Sequence, residues 1–219
     1  MHIDWAFALH ILPTLGKAAL LTLGITAAGF AISLVLGLVL AMLRRSRRRV
    51  IALPVGFAIE AVRGTPLLIQ LYFIFFVLPD YGIILPALLT GIIAIGLHYA
   101  AYTSEAYRSG IDNVPPGQWQ AAGALGLTRL QVFRYVVLPQ AIPDVLPALG
   151  NYLIAMFKDT PLLSAIAVVE MMQRAKIIGS ETFRYLEPIT IVGLFFLAMS
   201  LVAAMLVRAL ERRLRLPSA

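Results

Sequence analysis

The chain has 219 residues, 60% of them hydrophobic and only 13% charged, with a mean hydropathy of +0.88. Soluble domains are about 45–50% apolar and about 25% charged, so this balance excludes one and assigns an integral membrane protein. The absence of cysteine excludes disulfides, Cys-based zinc sites and a thiol nucleophile, and the three histidines, His2, His10 and His98, have no metal-ligand spacing.

About 20 apolar residues are needed to cross a hydrocarbon core roughly 30 Å thick, and the first candidate, residues 18–43, carries no charge. It is too long for a signal-peptide core, has no clear cleavage site and is followed rather than preceded by its arginines, so it reads as a retained span. Gly16-Lys17 lacks the upstream glycine and the following Ser or Thr of a phosphate loop, so no ATP-hydrolysing motor is encoded here.

The second span, residues 52–78, contains Glu60 and Arg63, three apart and able to pair on one helix face. An ionisable group at the bilayer centre costs about 2.5–3.5 kcal/mol on insertion scales, so such groups face a cavity or a partner. A structural ion pair is one reading. The other rests on Gly64-Thr65-Pro66, which breaks the helix, with Thr65 capping a new segment from Pro66 to Leu78. A helix start near the midplane presents free amides and a positive dipole end that suit a substrate carboxylate.

In the third span, residues 84–106, His98, Tyr102 and Glu105 share a face by their spacing of four and three. They line a cavity, or Glu105 simply reaches the membrane surface. The connection 107–138 then carries helix punctuation: Asp112 and Asn113 as candidate caps, Pro115 and Pro116 for a first turn, and Gly126 to end a helix of about ten residues. Its Ala121, Ala122, Gly123 and Ala124 let another protein approach closely, and Trp119 and Leu125 can fill pockets on it.

The fourth span, residues 139–157, is interrupted by Pro139, Pro143, Asp144 and Pro147. Carbonyls freed by these prolines are tolerated only where protein or water satisfies them, which favours a subunit interface or a transport path over a merely irregular helix end. Lys158-Asp159-Thr160-Pro161-Leu162-Leu163 echoes Arg63-Gly64-Thr65-Pro66-Leu67-Leu68. Both mark helix starts, with Asp159 either a structural cap or an attractor for an ammonium or cationic side chain. The connection 158–187 includes an apolar stretch, 165–172, too short to span, and the fifth span is residues 188–207.

Five spans put the termini on opposite sides. Twelve of the 18 basic residues fall on one side: Arg44, Arg45, Arg47, Arg48 and Arg49; Arg108, Arg129 and Arg134; Arg208, Arg212, Arg213 and Arg215. Lys17, Lys158, Arg174, Lys176 and Arg184 fall on the other, and Arg63 lies within the second span. The positive-inside rule then makes the amino terminus external and the carboxy terminus cytoplasmic, so the net charge of +7 is a topology signal and not a nucleic-acid footprint.

Gln120-Ala121-Ala122, then Gly126, then Val136-Val137-Leu138-Pro139 resembles the loop signature of membrane subunits of bacterial ABC importers. That signature runs Glu-Ala-Ala, three residues, Gly, nine residues, Ile-x-Leu-Pro; Gln120 and Val136 depart from it. "VRGTPLLIQLYFIFF", "AAYTSEAYRSGIDNVPPGQWQAAGALGL" and "VVLPQAIPDVLPALGNYLIAMFKDTPLL" look like the polar amino-acid permeases, the histidine, glutamine, glutamate, arginine and opine group, and the similarity covers nearly the whole chain.

The resemblance implies an all-α membrane protein with the type I ABC importer permease fold. It has five transmembrane helices, an external amino terminus, a cytoplasmic carboxy terminus and a cytoplasmic coupling helix, and sits in the bacterial cytoplasmic (inner) membrane. It also implies that Trp119, Gln120, Ala121, Ala122 and Gly126 form a coupling segment docked in a groove of an ATPase. Glutamine at 120 leaves a neutral hydrogen bond where a charge-assisted one would be about twice as strong. The implied partners are two ATP-binding subunits, a second permease subunit, identical or a sister chain, a periplasmic or extracellular amino-acid-binding protein, and a polar amino-acid substrate. ATP and Mg bind the ATPase, leaving this chain without a cofactor and not an enzyme. Candidate substrate-path residues are Glu60, Arg63, Thr65, His98, Tyr102, Glu105, Lys158 and Asp159, with Glu105 and Asp159 leaning toward a cationic substrate. A secondary transporter or channel would instead need coupling-ion carboxylates deep in the spans and no docking loop. An intramembrane enzyme would need a catalytic pair, and His98 has no evident partner.

Overall fold

The computed structural model describes residues 3–214, and all regular elements among them are helical. His2 and Arg215 lie outside the described residues. Helix α1 runs from Trp5 to Arg44, about 60 Å at 1.5 Å per residue, so it overshoots the apolar run that predicts it. Helix α2, Arg49–Arg63, is followed after Gly64-Thr65-Pro66 by α3, Leu67–Tyr72, which continues through a π turn, Phe73–Val77, and a 3-10 turn, Leu78–Tyr81. Then come α4, Ala87–Asp112; α5, Pro116–Ala124; and α6, Arg129–Val132, with a π turn, Phe133–Val137. Helix α7, Leu138–Asp159, passes into a 3-10 turn, Thr160–Ile166, before α8, Met171–Thr182, and α9, Leu186–Leu214.

Three helices, α1, α4 and α9, are each long and apolar enough to cross a membrane. The number rises to as many as five when two bent pairs each count as one crossing: α2 with α3, bent by 105°, and the α6–α7 run with α8, bent by 49°. The prolines do not end α7, which stays helical for 22 residues through Pro143 and Pro147. Two other prolines are accommodated by a wider helix. Each π turn closes two residues before a proline, Pro79 or Pro139, whose ring would strike the carbonyl four residues back in a regular helix. Widening the helix there moves that carbonyl aside, and the Gln140 side-chain amide donates to the Val136 carbonyl at 2.7 Å.

The body is organised on the α1–α4 pair. In lipid, helices associate through close packing and hydrogen bonds, because the surrounding tails are as apolar as Leu. Accordingly α1 buries Thr22, Thr26, Gly29, Ser33, Gly37 and Ala41 along one stripe, and the Thr103 hydroxyl of α4 donates 2.8 Å to the Ser33 carbonyl. One apolar cluster fills the middle of the bundle, with Ile25, Leu71, Ile95, Met156 and Leu163 at its heart. A second joins the start of α1 to α8 and α9, and a third joins the end of α4 to α5, α6 and the start of α7.

The connection 158–187 contains α8, which the hydropathy pattern alone does not reveal. Glu170 caps it by accepting from the amides of Met172 at 2.8 Å and Gln173 at 2.7 Å, and the Met171 amide donates to Thr22 of α1. The corners on either side of α8 are Ala167 and Phe183, both non-glycine residues with positive φ, 59° and 55°. Beyond Phe183, Arg184 pairs with Asp4 at 2.8 Å, while the Asp4 amide donates to Glu187. This latch ties the first turn of α1 to the first turn of α9.

Two consequences are measurable. A Cβ on Gly96 would sit 2.8 Å from Ile32 Cγ2 and 3.2 Å from the Gly29 carbonyl oxygen, whereas one on Gly24 would meet nothing within 4 Å. Gly96→Val is expected to cost about 1–3 kcal/mol by overpacking and to lower the thermal unfolding midpoint in detergent, with Gly24→Ala unchanged or higher. The second concerns pH. The Arg184 guanidinium, followed by the Phe7 amide, holds the Asp4 carboxyl below its ordinary value of 3.8. Its stabilising effect is therefore present above 3.8 and lost as the pH falls through the lower folded value. The protection of the Phe7 amide, measured against the free-peptide exchange rate at the same pH, should fall in that acid window, and Asp4→Asn should leave that protection independent of pH there.

Candidate functional site

Two regions concentrate polar groups that the spans would otherwise exclude. The first surrounds the break between α2 and α3. Here Thr65 does not cap the new segment, as the sequence pattern suggests: Pro66 occupies the cap position without a side-chain bond, and the Thr65 hydroxyl turns back to the Ala61 carbonyl at 2.9 Å. A Thr hydroxyl reaches the carbonyl one turn back as readily as a forward amide, and here Gln70 decides the matter. Its side-chain NH2 donates to the Val62 carbonyl at 2.7 Å and to the Thr65 hydroxyl at 2.8 Å, closing the break from the α3 side. With the Gln70 nitrogen so engaged, its oxygen faces His98 Nδ1 at 3.1 Å, which requires the proton on Nδ1.

His98 opens an aromatic group on α4 and α7. Its ring lies 5.1 Å from that of Tyr102, and Tyr152 of α7 lies 5.8 Å from Tyr102 and 6.3 Å from Tyr99, centroid to centroid. At one end of the group the Tyr99 hydroxyl donates 2.6 Å to Asp159. At the other, the Arg63 guanidinium stands 5.5 Å above the Tyr102 ring, a cation–π geometry, and pairs with Glu60 at 3.2 Å. An anionic and a cationic end thus flank a wall of four aromatic rings.

Of the residues singled out from the sequence, His98, Tyr102, Arg63 and Asp159 meet here, with Glu60 and Thr65 at the rim. Glu105 points elsewhere: it binds Arg108 at 2.7 Å, Arg108 binds Asp112 at 3.1 Å, and Asp112 also pairs with Arg45. Lys158 is exposed beside Asp159 and makes no ion pair among the described residues. Tyr99, Tyr152 and Gln70 were not evident from spacing. Gln70 carries the clearest missed signal, as the one polar residue in the run "LLIQLYFIFF".

The threonine of the second Thr-Pro motif repeats the device of the first. The Thr160 hydroxyl donates 2.7 Å to the Phe157 carbonyl, closing α7. The chain then turns through Pro161, and Leu163 and Ile166 pack with Leu67 and Leu71 from beyond the first break. Both motifs therefore close one helix and redirect the chain, and their two corners share one apolar core.

The second region is α5. Pro115 and Pro116 take the cap and first helical positions, while Asp112, a candidate cap by sequence, is drawn into the arginine chain instead. Asn113 makes no cap bond either. At the far end Gly126 has φ +75°, the Leu127 amide donates to the Ala122 carbonyl, and the Gly126 amide donates to Gly123. That pair of bonds is a Schellman closure. The next helix has a full capping box between Thr128 and Gln131. Helix α5 presents Gln120, Ala121, Gly123, Ala124 and Leu125 outward, whereas Ala122 is buried and Trp119 half-buried. Those two pack with Ile111, Val132 and Val137 of the same chain, so they anchor α5 and do not belong to its outer surface.

Residues 33–216 match the family described as binding-protein-dependent transport system inner membrane component. The chain is 50% identical to a probable amino-acid ABC transporter permease protein, y4tG, of Sinorhizobium fredii (strain NBRC 101917 / NGR234), over 95% of this chain and 90% of the relative. It is 33% identical to the arginine transport system permease protein ArtQ of Bacillus subtilis (strain 168), over 98% and 99% of the two chains. A solved crystal structure of an amino acid ABC transporter with histidines is 37% identical and superposes with a TM-score of 0.90 over 97% of this chain and 100% of that one.

The closure of α5 can be tested directly. Replacing Gly126 by Val puts a β-branched residue into the left-handed region, at a cost of at least about 1–2 kcal/mol. Limited proteolysis should then cut within residues 120–130 faster than in the parent, with the global unfolding midpoint little changed.

Proposed function

The chain belongs to the family of binding-protein-dependent transport system inner membrane components, and from that premise we propose how it works as the permease subunit of an amino-acid ABC transporter. It imports a polar, cationic amino acid, with the amino terminus external, the carboxy terminus cytoplasmic and the broken α2–α3 and α7–α8 runs completing five crossings. Helix α5 docks in a separate ATPase subunit, two of which drive a pair of permease subunits, and an external binding protein delivers the substrate. ATP and Mg act in the ATPase, and this chain makes and breaks no covalent bond.

The observation that carries this reading is the mechanical continuity of α5 with the aromatic group. The inner side of α5 is packed onto the start of α7 through Ala122, Val132, Val137 and Ala141. Helix α7 is then an uninterrupted rod of 22 residues, about 33 Å long, and its last residue is Asp159. A push on α5 is thus delivered to the carboxylate that faces the substrate. Pairing of permeases is supported by Glu60, Arg63 and Thr65, which are exposed on the surface of the single chain at a break inside an apolar run. Ionised groups do not face lipid at that depth, so a second subunit or the water of the pathway covers them.

At the site, Asp159 attracts the cationic part of the substrate, and Tyr99 holds that carboxylate in place. The tyrosine faces accept the charge by cation–π contact. Arg63, at the other end, is placed for the substrate carboxylate. In reconstituted vesicles, Asp159→Asn is expected to lower uptake of a cationic amino acid roughly 10- to 100-fold, the loss of one charged hydrogen bond, with the ATPase still bound. Ala121→Trp should do the reverse, releasing the ATPase from an otherwise folded permease. Unchanged uptake by the first variant would remove Asp159 from the path, and unchanged assembly by the second would remove α5 from the interface.

A further inference from the structure

Where the apolar run of α1 ends, the chain forms a groove of about 590 Å3, a size that holds small ligands. Its cationic edge is Arg45, Arg47 and Arg129, and its apolar walls include Met42, Leu127 and Phe133. Among the described residues neither Arg47 nor Arg129 makes an ion pair, and the single carboxylate near Arg45, Asp112, is shared with Arg108. Positive charge is therefore in surplus at this point.

Ile111 lines this groove and also a second, narrow crevice of about 60 Å3, whose other walls include Leu38, Tyr107 and Ile142. Leu38 and Met42 are one helical turn apart on α1, as are Tyr107 and Ile111 on α4, so the crevice lies one turn further along the same two helices than the groove, with Ile111 as their shared wall. The crevice is wholly apolar but for the Tyr107 hydroxyl. A cationic groove where the apolar run of α1 ends, with a small apolar crevice one turn deeper, has the two-part chemistry of a glycerophospholipid with an anionic headgroup.

We propose that this groove and crevice hold one anionic phospholipid, its phosphate on Arg47 and Arg129 and an acyl chain started past Ile111. Charge complementarity selects the anionic class, since juxtamembrane arginines attract anionic lipid and lose that attraction within a Debye length. The adjoining apolar slot selects a lipid over a soluble phosphate. The groove reaches α5 through Trp119 and Gly123, which line it, so a lipid seated there bears on the coupling helix.

The test uses the complete transporter in nanodiscs of phosphatidylcholine mixed with phosphatidylglycerol, with lipid retained after detergent transfer counted by native mass spectrometry. Each basic residue near an anionic surface contributes roughly fivefold in binding, so Arg47→Gln with Arg129→Gln should cut phosphatidylglycerol retention roughly 25-fold while phosphatidylcholine retention stays level. Ile142→Trp, which fills the crevice and leaves every arginine in place, should cut it as well; this second variant keeps the test alive if the double variant fails to assemble. Soluble glycerol 3-phosphate should not displace the lipid. Equal retention in the parent and both variants would overturn the proposal. So would displacement by glycerol 3-phosphate, or loss of the ATPase from the arginine variant with lipid retention intact, which would assign the groove to the protein partner.

Discussion

The close approach of α1 and α4 is the constraint from which the rest follows. Within a bilayer the association of two helices gains little from excluding apolar surface, and its strength comes from how near the backbones can come. Gly29 and Gly37 on α1 and Gly96 on α4 remove the side chains that would hold the axes apart. The Thr103–Ser33 bond then fixes the rotation of one helix against the other. With that rotation set, His98, Tyr99 and Tyr102 emerge on the flank of α4 that meets α3 and α7, and Arg108 emerges toward the end of α1.

The two Thr-Pro corners complete the arrangement. Each stops a helix by giving its last carbonyls a hydroxyl partner in place of the next amides, and each redirects the chain at a proline. Because the corners share an apolar core, with Leu67 and Leu71 against Leu163 and Ile166, Arg63 and Asp159 are held at opposite ends of one aromatic wall. The π turns ahead of Pro79 and Pro139 absorb the clash at those two prolines, and α7 stays helical from Leu138 to Asp159.

Local chemistry was legible in the sequence and long-range choice was not. Gly64-Thr65-Pro66 announces a break because its residues forbid or disfavour helix on their own, and Gly126 announces a left-handed closure for the same reason. The destination of the Thr65 hydroxyl depended on Gln70 reaching back to Val62, which no short-range rule supplies. Tyr99 and Asp159 are 60 positions apart, and nothing in the spacing of either reveals their bond. The inward turn of Trp119 and Ala122 was hidden because a nine-residue helix of small side chains has almost no apolar face to read. Helix α8 was hidden by its polarity, since it is held by the Glu170 cap and by Thr22 rather than by a long apolar run.

The corners at Ala167 and Phe183 give α8 a character that its short length would not. Glycines there would reach positive φ freely and would also leave it freely, whereas alanine and phenylalanine adopt it at a cost that the surrounding structure has to offset. The Glu170 cap and the Met171 bond to Thr22 supply that hold at the start of α8 and seat it on α1. A protein alighting on that end of the bundle would find its footing already set, and the entropy normally spent in ordering a contact loop would not be charged to the encounter.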